Sequence, residues 1–302
     1  SPAHRNWKFT PSVSSLYQSV PLHIEPAPVI VGERTNANGS KLFRDLLLKE
    51  DWEGMVSLGR EQANEGAHLL DLCVAYVGRD ELRDIGEVVS RFNTQITAPL
   101  MIDSTDVNAL DAALQRYAGK AIVNSVNLED GEERFDKIMN LCKRYGAAVI
   151  ALTIDEEGMA KTAERKFDIA KRILSLAVDK YGMKAENIIF DPLTFTLGSG
   201  DESFKNAGVE TLEAIKLIKS KFPQVKTSLG VSNISFGLKP QTRVVLNSVF
   251  MHYAINYGLD MAIVHAGKIL PLYKIEETEK DLCRKLILNE KTDSFDPLKE
   301  FL

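Results

Sequence analysis

From Val29 onward the chain repeats one rhythm: a short unbroken apolar run ending in a polar or glycine residue, then a longer amphipathic stretch. Runs that are aliphatic without alternation fit strands buried on both faces, the signature of a parallel sheet covered by helices. The predicted strands are Val29–Gly32, His68–Val74, Pro99–Asp103, Ala121–Asn124, Ala147–Ile154, Asn187–Asp191, Val225–Gly230 and Met261–Val264. Between and after them the predicted helices are Trp52–Glu65, Asp80–Phe92, Val107–Tyr117, Glu132–Tyr145, Lys161–Tyr181, Glu202–Phe222, Gln241–Tyr257 and Ile275–Leu288. Gly146, Gly182 and Gly258 follow three of these helices, where a left-handed terminating residue is expected.

Eight strands alternating with eight helices is the count of a (β/α)8 barrel, the TIM-barrel architecture of the α/β class. A doubly wound open sheet is the alternative, and it calls for a glycine-rich phosphate turn after its first strand. The segment there, Gly32-Glu-Arg-Thr-Asn-Ala-Asn-Gly39, fits neither a dinucleotide fingerprint nor a P-loop. Ahead of the rhythm, residues 1–27 carry prolines at 2, 11, 21 and 26 and little periodicity. They are expected to be a linker or arm, with residues 28–302 forming the barrel. With no initiator Met, this opening suggests a piece of a longer chain.

Composition narrows the function by exclusion. The 302 residues are 44% hydrophobic with a net charge of −5, which supplies an ample core and gives no support for nucleic-acid binding. No apolar run approaches a membrane span, and the N-terminus lacks a signal pattern. Cys73, Cys142 and Cys283 are widely spaced and read as reduced, buried thiols of a cytoplasmic protein. The histidines, at 4, 23, 68, 252 and 265, form no zinc-binding pair.

In a barrel of this kind the chemistry gathers where the strands end. Those ends carry Glu33 and Asn36, Asp71, Asp103, Asn124 and Asn127, Asp155, Asp191, Asn233, and His265 with Lys268. Acids and amides dominate this ring. A divalent cation held by Asp71, Asp103, Asp155 and Asp191 is one use of it, since hard cations favour oxygen. The interleaved amides suit instead a neutral heterocycle rich in donors and acceptors, such as a pterin, whose adjacent N–H groups one carboxylate accepts together. Each residue also has a plain structural use. Asp103 before Ser-Thr could cap the next helix, Asp191 before Pro192 could form a turn, and Glu33 could pair with Arg34. The loop Gly230-Val-Ser-Asn-Ile-Ser-Phe-Gly237 offers amide and hydroxyl groups without formal charge, and it could equally serve as a helix cap.

Five segments at successive strand ends carry a resemblance: Gly32-Glu-Arg-Thr-Asn36, Met101-Ile-Asp-Ser104, Val123-Asn-Ser125, Phe190-Asp-Pro192 and Gly230-Val-Ser-Asn233. Together they resemble the pterin-binding superfamily of dihydropteroate synthases and methyltetrahydrofolate methyltransferases. Within it the chain is most similar to the folate-binding domains of cobalamin-dependent methionine synthases. Gly78-Arg-Asp-Glu81, Asn127-Leu-Glu-Asp-Gly131, Asp155-Glu-Glu-Gly-Met-Ala160 and Asn233 through Pro240 add to the likeness, which runs from about Pro28 to Tyr273.

The resemblance implies a dihydropteroate synthase-like barrel that binds 5-methyltetrahydrofolate as substrate. Asp103, Asn124 and Asp191 would hold the pterin edge, and Glu33 and Asn36 would face the folate from the first loop. Asn233 would hydrogen-bond N5 and act as the catalytic residue, while Gly230, Ser232 and Arg243 would line the pocket. The methyl acceptor implied is cobalamin on a partner domain of the same parent chain. Zinc would belong only to a homocysteine domain, absent here and joined through the N-terminal linker. The alternatives left open are methyl transfer to a corrinoid iron-sulfur protein, dihydropteroate synthesis, and a pterin-binding module without catalysis of its own.

Overall fold

The computed structural model describes residues 9–199, 202–292 and 294–301. The first eight positions of the expected arm lie outside the described residues. Eight parallel strands close on themselves in sequence order: β1 (Val29–Gly32), β2 (Leu69–Leu72), β3 (Leu100–Asp103), β4 (Ile122–Val126), β5 (Ala148–Leu152), β6 (Ile188–Asp191), β7 (Lys226–Gly230) and β8 (Met261–Val264). The seam pairs Met261 with Val29 and Val264 with Gly32. Closure removes every open edge, so each strand is covered on both faces and needs no alternation of apolar and polar residues.

The covering helices are α1 (Trp52–Asn64), α2 (Glu81–Gln95), α3 (Val107–Arg116), α4 (Glu132–Tyr145), α5 (Ala163–Ser175), α6 (Ala207–Lys221), α7 (Pro240–Asn256) and α8 (Glu277–Ile287). Their starts are chemically marked. The side chains of Asp51, Asp80, Asp106 and Thr162 each accept from a backbone N–H in the first turn of α1, α2, α3 and α5. Gly146, Gly182 and Gly258 take the left-handed conformation expected of them. The long stretch from Lys161 to Tyr181 is not one helix: α5 ends at Ser175 and a π-turn, Leu176–Lys180, follows. A short helix, Lys41–Leu48, was not anticipated between the first strand and α1.

The barrel interior explains how the site is placed. Strand side chains alternate inward and outward, and the inward set begins as a dry apolar layer: Val29, Val31, Leu69, Met101, Ile122, Ala148, Ile189 and Met261. Below it lies a stopper. Ser12–Ser14 and Ser19–Pro21 form an antiparallel hairpin, and its Val13 and Val20, with Leu22, are buried among the interior residues. Each such side chain contributes roughly 1.5–3 kcal/mol by leaving water. The hairpin approaches so closely that a Cβ on Gly119 would lie 2.0 Å from the Ser14 carbonyl oxygen. His23 fastens the next residues by a 2.8 Å hydrogen bond to the buried Asp260. Residues 12–22 of the expected arm are thus the floor of the barrel. Their strands are only three residues long, too short to show a period among prolines.

Among the described residues no helix is long and apolar enough to cross a membrane. All three cysteines are free and buried, as their spacing suggested.

Candidate active site

The alternation that makes the apolar layer also makes the layer above it. Two residues beyond Leu69, Met101, Ile122 and Ile189 come Asp71, Asp103, Asn124 and Asp191, on the same inward face and at the C-terminal mouth. Asp103 and Asn124 are direct partners across the β3–β4 ladder. The three positions expected to hold a heterocycle edge are therefore turned into one opening. Asp103 does not cap the next helix, because Asp106 does, accepting from the backbone N–H of Asn108 at 2.8 Å.

Asn36 organises this layer. Its amide donates to a carboxylate oxygen of Asp71 and to one of Asp103, both at 2.8 Å. Its own oxygen accepts from the backbone N–H groups of Asn38 and Gly39, which fixes the amide's orientation. The second oxygen of Asp71 is buried without a hydrogen-bond partner. Burial pushes the Asp71 carboxyl well above the usual range; the Asp103 charge adds to the rise, while Asn36 and Asn124 oppose it. Burial likewise raises Asp103 to about 6 against the Asn36 hydrogen bond. Two acids without a cation between them are here served by one neutral amide.

Asp191 ends β6 on the far side. One of its oxygens accepts from the Leu193 N–H at 2.8 Å, so the turn-forming role is real as well. Burial lifts its carboxyl to about 6, offset by the backbone N–H of Leu193, the charge of Lys166 and the backbone N–H of Gly230.

The loop after β1 and the loop after β7 meet. Ser232 donates to Glu33 at 3.0 Å. Burial raises the Glu33 carboxyl, with Ser232, Arg243, His265 and Lys268 pulling the other way. These five residues line a cavity of about 230 Å³ beside the mouth, together with Asn247 and apolar neighbours. Arg243 braces the loop, donating to the Ser235 hydroxyl at 3.1 Å and the Ser232 carbonyl at 3.2 Å. Asn233 stands exposed in the single turn Val231–Ser235. Gly230 leaves room for this amide: a Cβ there would lie 2.9 Å from the Asn233 side-chain nitrogen, and the side chain would have to shift.

Other candidates lie elsewhere. Asp155 is buried against Arg165 in an ion pair that Glu157 shares, and Asn127 bonds its own loop at the Glu129 N–H. Arg34 pairs with Glu61 and Glu65, not with Glu33. A four-aspartate cation site is thus not assembled, and among the described residues no three His, Cys, Asp or Glu side chains converge to hold a metal. Sequence reasoning missed Gln62, which is buried in α1. It accepts from the Arg34 N–H at 2.8 Å and donates to Thr35, whose hydroxyl in turn bonds the Asp71 carbonyl. A polar residue on the apolar face of α1 was the available signal.

The chain is similar to several known proteins. The family described as pterin binding enzyme matches residues 32–265. Methionine synthase of Mycobacterium tuberculosis is 46% identical over 301 residues, 99% of this chain and 25% of that protein. The Mycobacterium leprae methionine synthase is 45% identical over the same 99% of this chain and 25% of its own length. The chain thus spans about a quarter of the length of the curated relatives it matches. Among solved structures, dihydropteroate synthase from Xanthomonas albilineans in complex with 7,8-dihydropteroate superposes with a TM-score of 0.61 at 18% identity, covering 85% of this chain and 94% of that one. The Yersinia pestis dihydropteroate synthase with a pterine-sulfa conjugate gives 0.60 at 12% identity, covering 92% and 98%. At these identities the likeness shows a shared barrel fold.

Proposed function

Because the chain belongs to the pterin-binding enzyme family, we propose that its barrel mouth binds 5-methyltetrahydrofolate and supports transfer of the N5 methyl group to cob(I)alamin carried by a partner domain. This is the folate half-reaction of a cobalamin-dependent methionine synthase. The observation that carries the reading is the inward layer of Asp103, Asn124 and Asp191 above a dry barrel interior. The identity to methionine synthases over nearly the whole chain supports the choice of reaction.

Asp191 and Asp103 accept N–H groups of the amino-pyrimidinone edge as carboxylates, and Asn124 supplies an amide that donates or accepts as the ring requires. Departure of the methyl group returns an electron pair to N5, which takes up a proton from solvent to become N–H; N5 is a poor leaving centre unless charge there is relieved. The Asn233 amide donates toward N5 as that charge develops, a contact stronger in the transition state than in the ground state. Bound cobalamin, when present on its own domain, supplies the nucleophilic metal that receives the methyl. This chain's share is binding, orientation and the hydrogen bond at N5.

A dihydropteroate synthase must instead hold a pyrophosphate leaving group, for which it needs free cations late in the barrel. Arg243 is already committed to Ser235 and Ser232, which leaves Lys268 and His265 as the late basic groups of the cavity. The test is titration with 5-methyltetrahydrofolate, followed by methyl transfer to free cob(I)alamin monitored by absorbance. Micromolar folate binding with turnover is expected. Binding without turnover would leave a carrier module, and no binding would overturn the assignment.

A further inference from the structure

A buried lysine lies beneath the site and has no part in the mechanism above. Lys166, on α5, is wholly buried, and its ammonium donates to the Pro192 and Leu193 carbonyls, the latter at 3.2 Å. It also lies 5.0 Å from the centre of the Phe195 ring. These residues form the turn that begins at Asp191, and the turn is not relaxed: Leu193 has a positive φ of 63°. Thr211, on α6, adds a second donor to the Leu193 carbonyl at 2.9 Å. A fully buried ammonium is costly, so a hydrophobic residue here would be the default for helix packing alone.

We propose that Lys166 is the positioning residue for Asp191: it clamps the carbonyls of the Asp191–Phe195 turn and supplies the positive charge against which the carboxylate takes the pterin N–H groups. This rests on the pterin-binding reading of Asp191. The charged and titratable groups around the pair are few. Asp191 faces the Leu193 and Gly230 N–H groups and Lys166. Lys166 faces Asp191 and Glu210, whose carboxylate accepts from the Ala163 N–H. Burial brings the Lys166 ammonium down to about 8, with both acids opposing, so it carries its charge at neutral pH.

The consequence is a pH signature. Asp191 must be ionised to accept two donors, and without its cation it keeps its proton to higher pH. Lys166→Gln retains a donor for the two carbonyls and loses the charge, whereas Lys166→Met loses both. 5-Methyltetrahydrofolate affinity is measured at about pH 6.5 and about pH 8.5 by calorimetry on the folded proteins, checked by circular dichroism. Lys166→Gln should bind about tenfold more weakly than wild type at the lower pH and within about threefold at the higher, where Asp191 is ionised in both proteins and the wild-type Lys166 has itself largely lost its proton. Lys166→Met should add a further loss of about tenfold at both. Asp103 titrates in the same range but is common to all three proteins and cancels in the ratios. If Lys166→Met does not fold, Lys166→Gln alone carries the test. Affinity ratios that do not change with pH, or unchanged affinity, would overturn the proposal. Failure of the wild type to bind folate would instead sink the reading of the site itself.

Discussion

The side-chain nitrogen of Asn36 sits 2.8 Å from a carboxylate oxygen of Asp71 and 2.8 Å from one of Asp103. One neutral group gives both its N–H protons in hydrogen bonds to two acids from neighbouring strands, Asp71 buried and Asp103 half-buried. Asn36→Ala strips both acids of that donor, and the cost falls on the charged state. A loss of about 2 kcal/mol in urea unfolding at about pH 8 is expected, shrinking at about pH 5 where the acids are protonated. An equal loss at both pH values would show that the amide matters for packing alone.

The acids of the mouth also contribute a pH dependence to stability, in the direction opposite to ordinary salt-bridged carboxylates. Burial raises Asp71, Asp103 and Asp191 in the folded state, so the folded protein binds more protons than the unfolded one above the ordinary carboxylate range. Their contribution to stability then falls as pH rises from about 4 through about 6 and beyond. Asp191→Asn keeps an acceptor for the Leu193 N–H and removes the charge. It should stabilise the ligand-free protein by roughly 2 kcal/mol at about pH 8 and little at about pH 4. Folate affinity should fall at the same time, because the double acceptor is gone. Unfolding midpoints and a folate titration on the same variant test the pair of effects together.

Asn233→Ala should separate chemistry from binding. Methyl transfer should slow by about a hundredfold while folate affinity changes by less than about threefold. Parallel losses in both would make Asn233 a binding residue.

Gly230→Ala should act through Asn233. Its φ is negative and suits alanine, so the backbone tolerates the change. The new methyl instead meets the Asn233 amide at 2.9 Å and displaces it. A drop in methyl transfer of about tenfold or more with an unchanged melting temperature is expected. A melting temperature that falls with activity would assign Gly230 to the fold.

The strands were legible because closure buries both faces, leaving runs such as Val29–Gly32 and Met261–Val264 uniformly apolar. The candidate site could be assembled from sequence because polar residues end those runs two positions beyond inward apolar ones, as Asp103 follows Met101. What stayed hidden depends on contacts between distant segments. The Val13–Val20 hairpin has no period of its own and is ordered by the barrel floor it fills. Lys166 sits at an ordinary helical position, and only the packing of α5 over the Asp191 turn makes it a buried cation. Gln62 is similar, a polar residue whose partners come from the first loop.

That hairpin has a kinetic consequence. Among the described residues one end of the barrel is stoppered by Val13, Val20 and Leu22, so a molecule held above Asp103 and Asp191 would have its doorway at the other end. On the methyl-transfer reading proposed above, a partner domain docked over that doorway would also block the exit. Spent folate would then leave only after that domain had withdrawn, and the rate of that withdrawal would cap the rate at which the barrel is refilled.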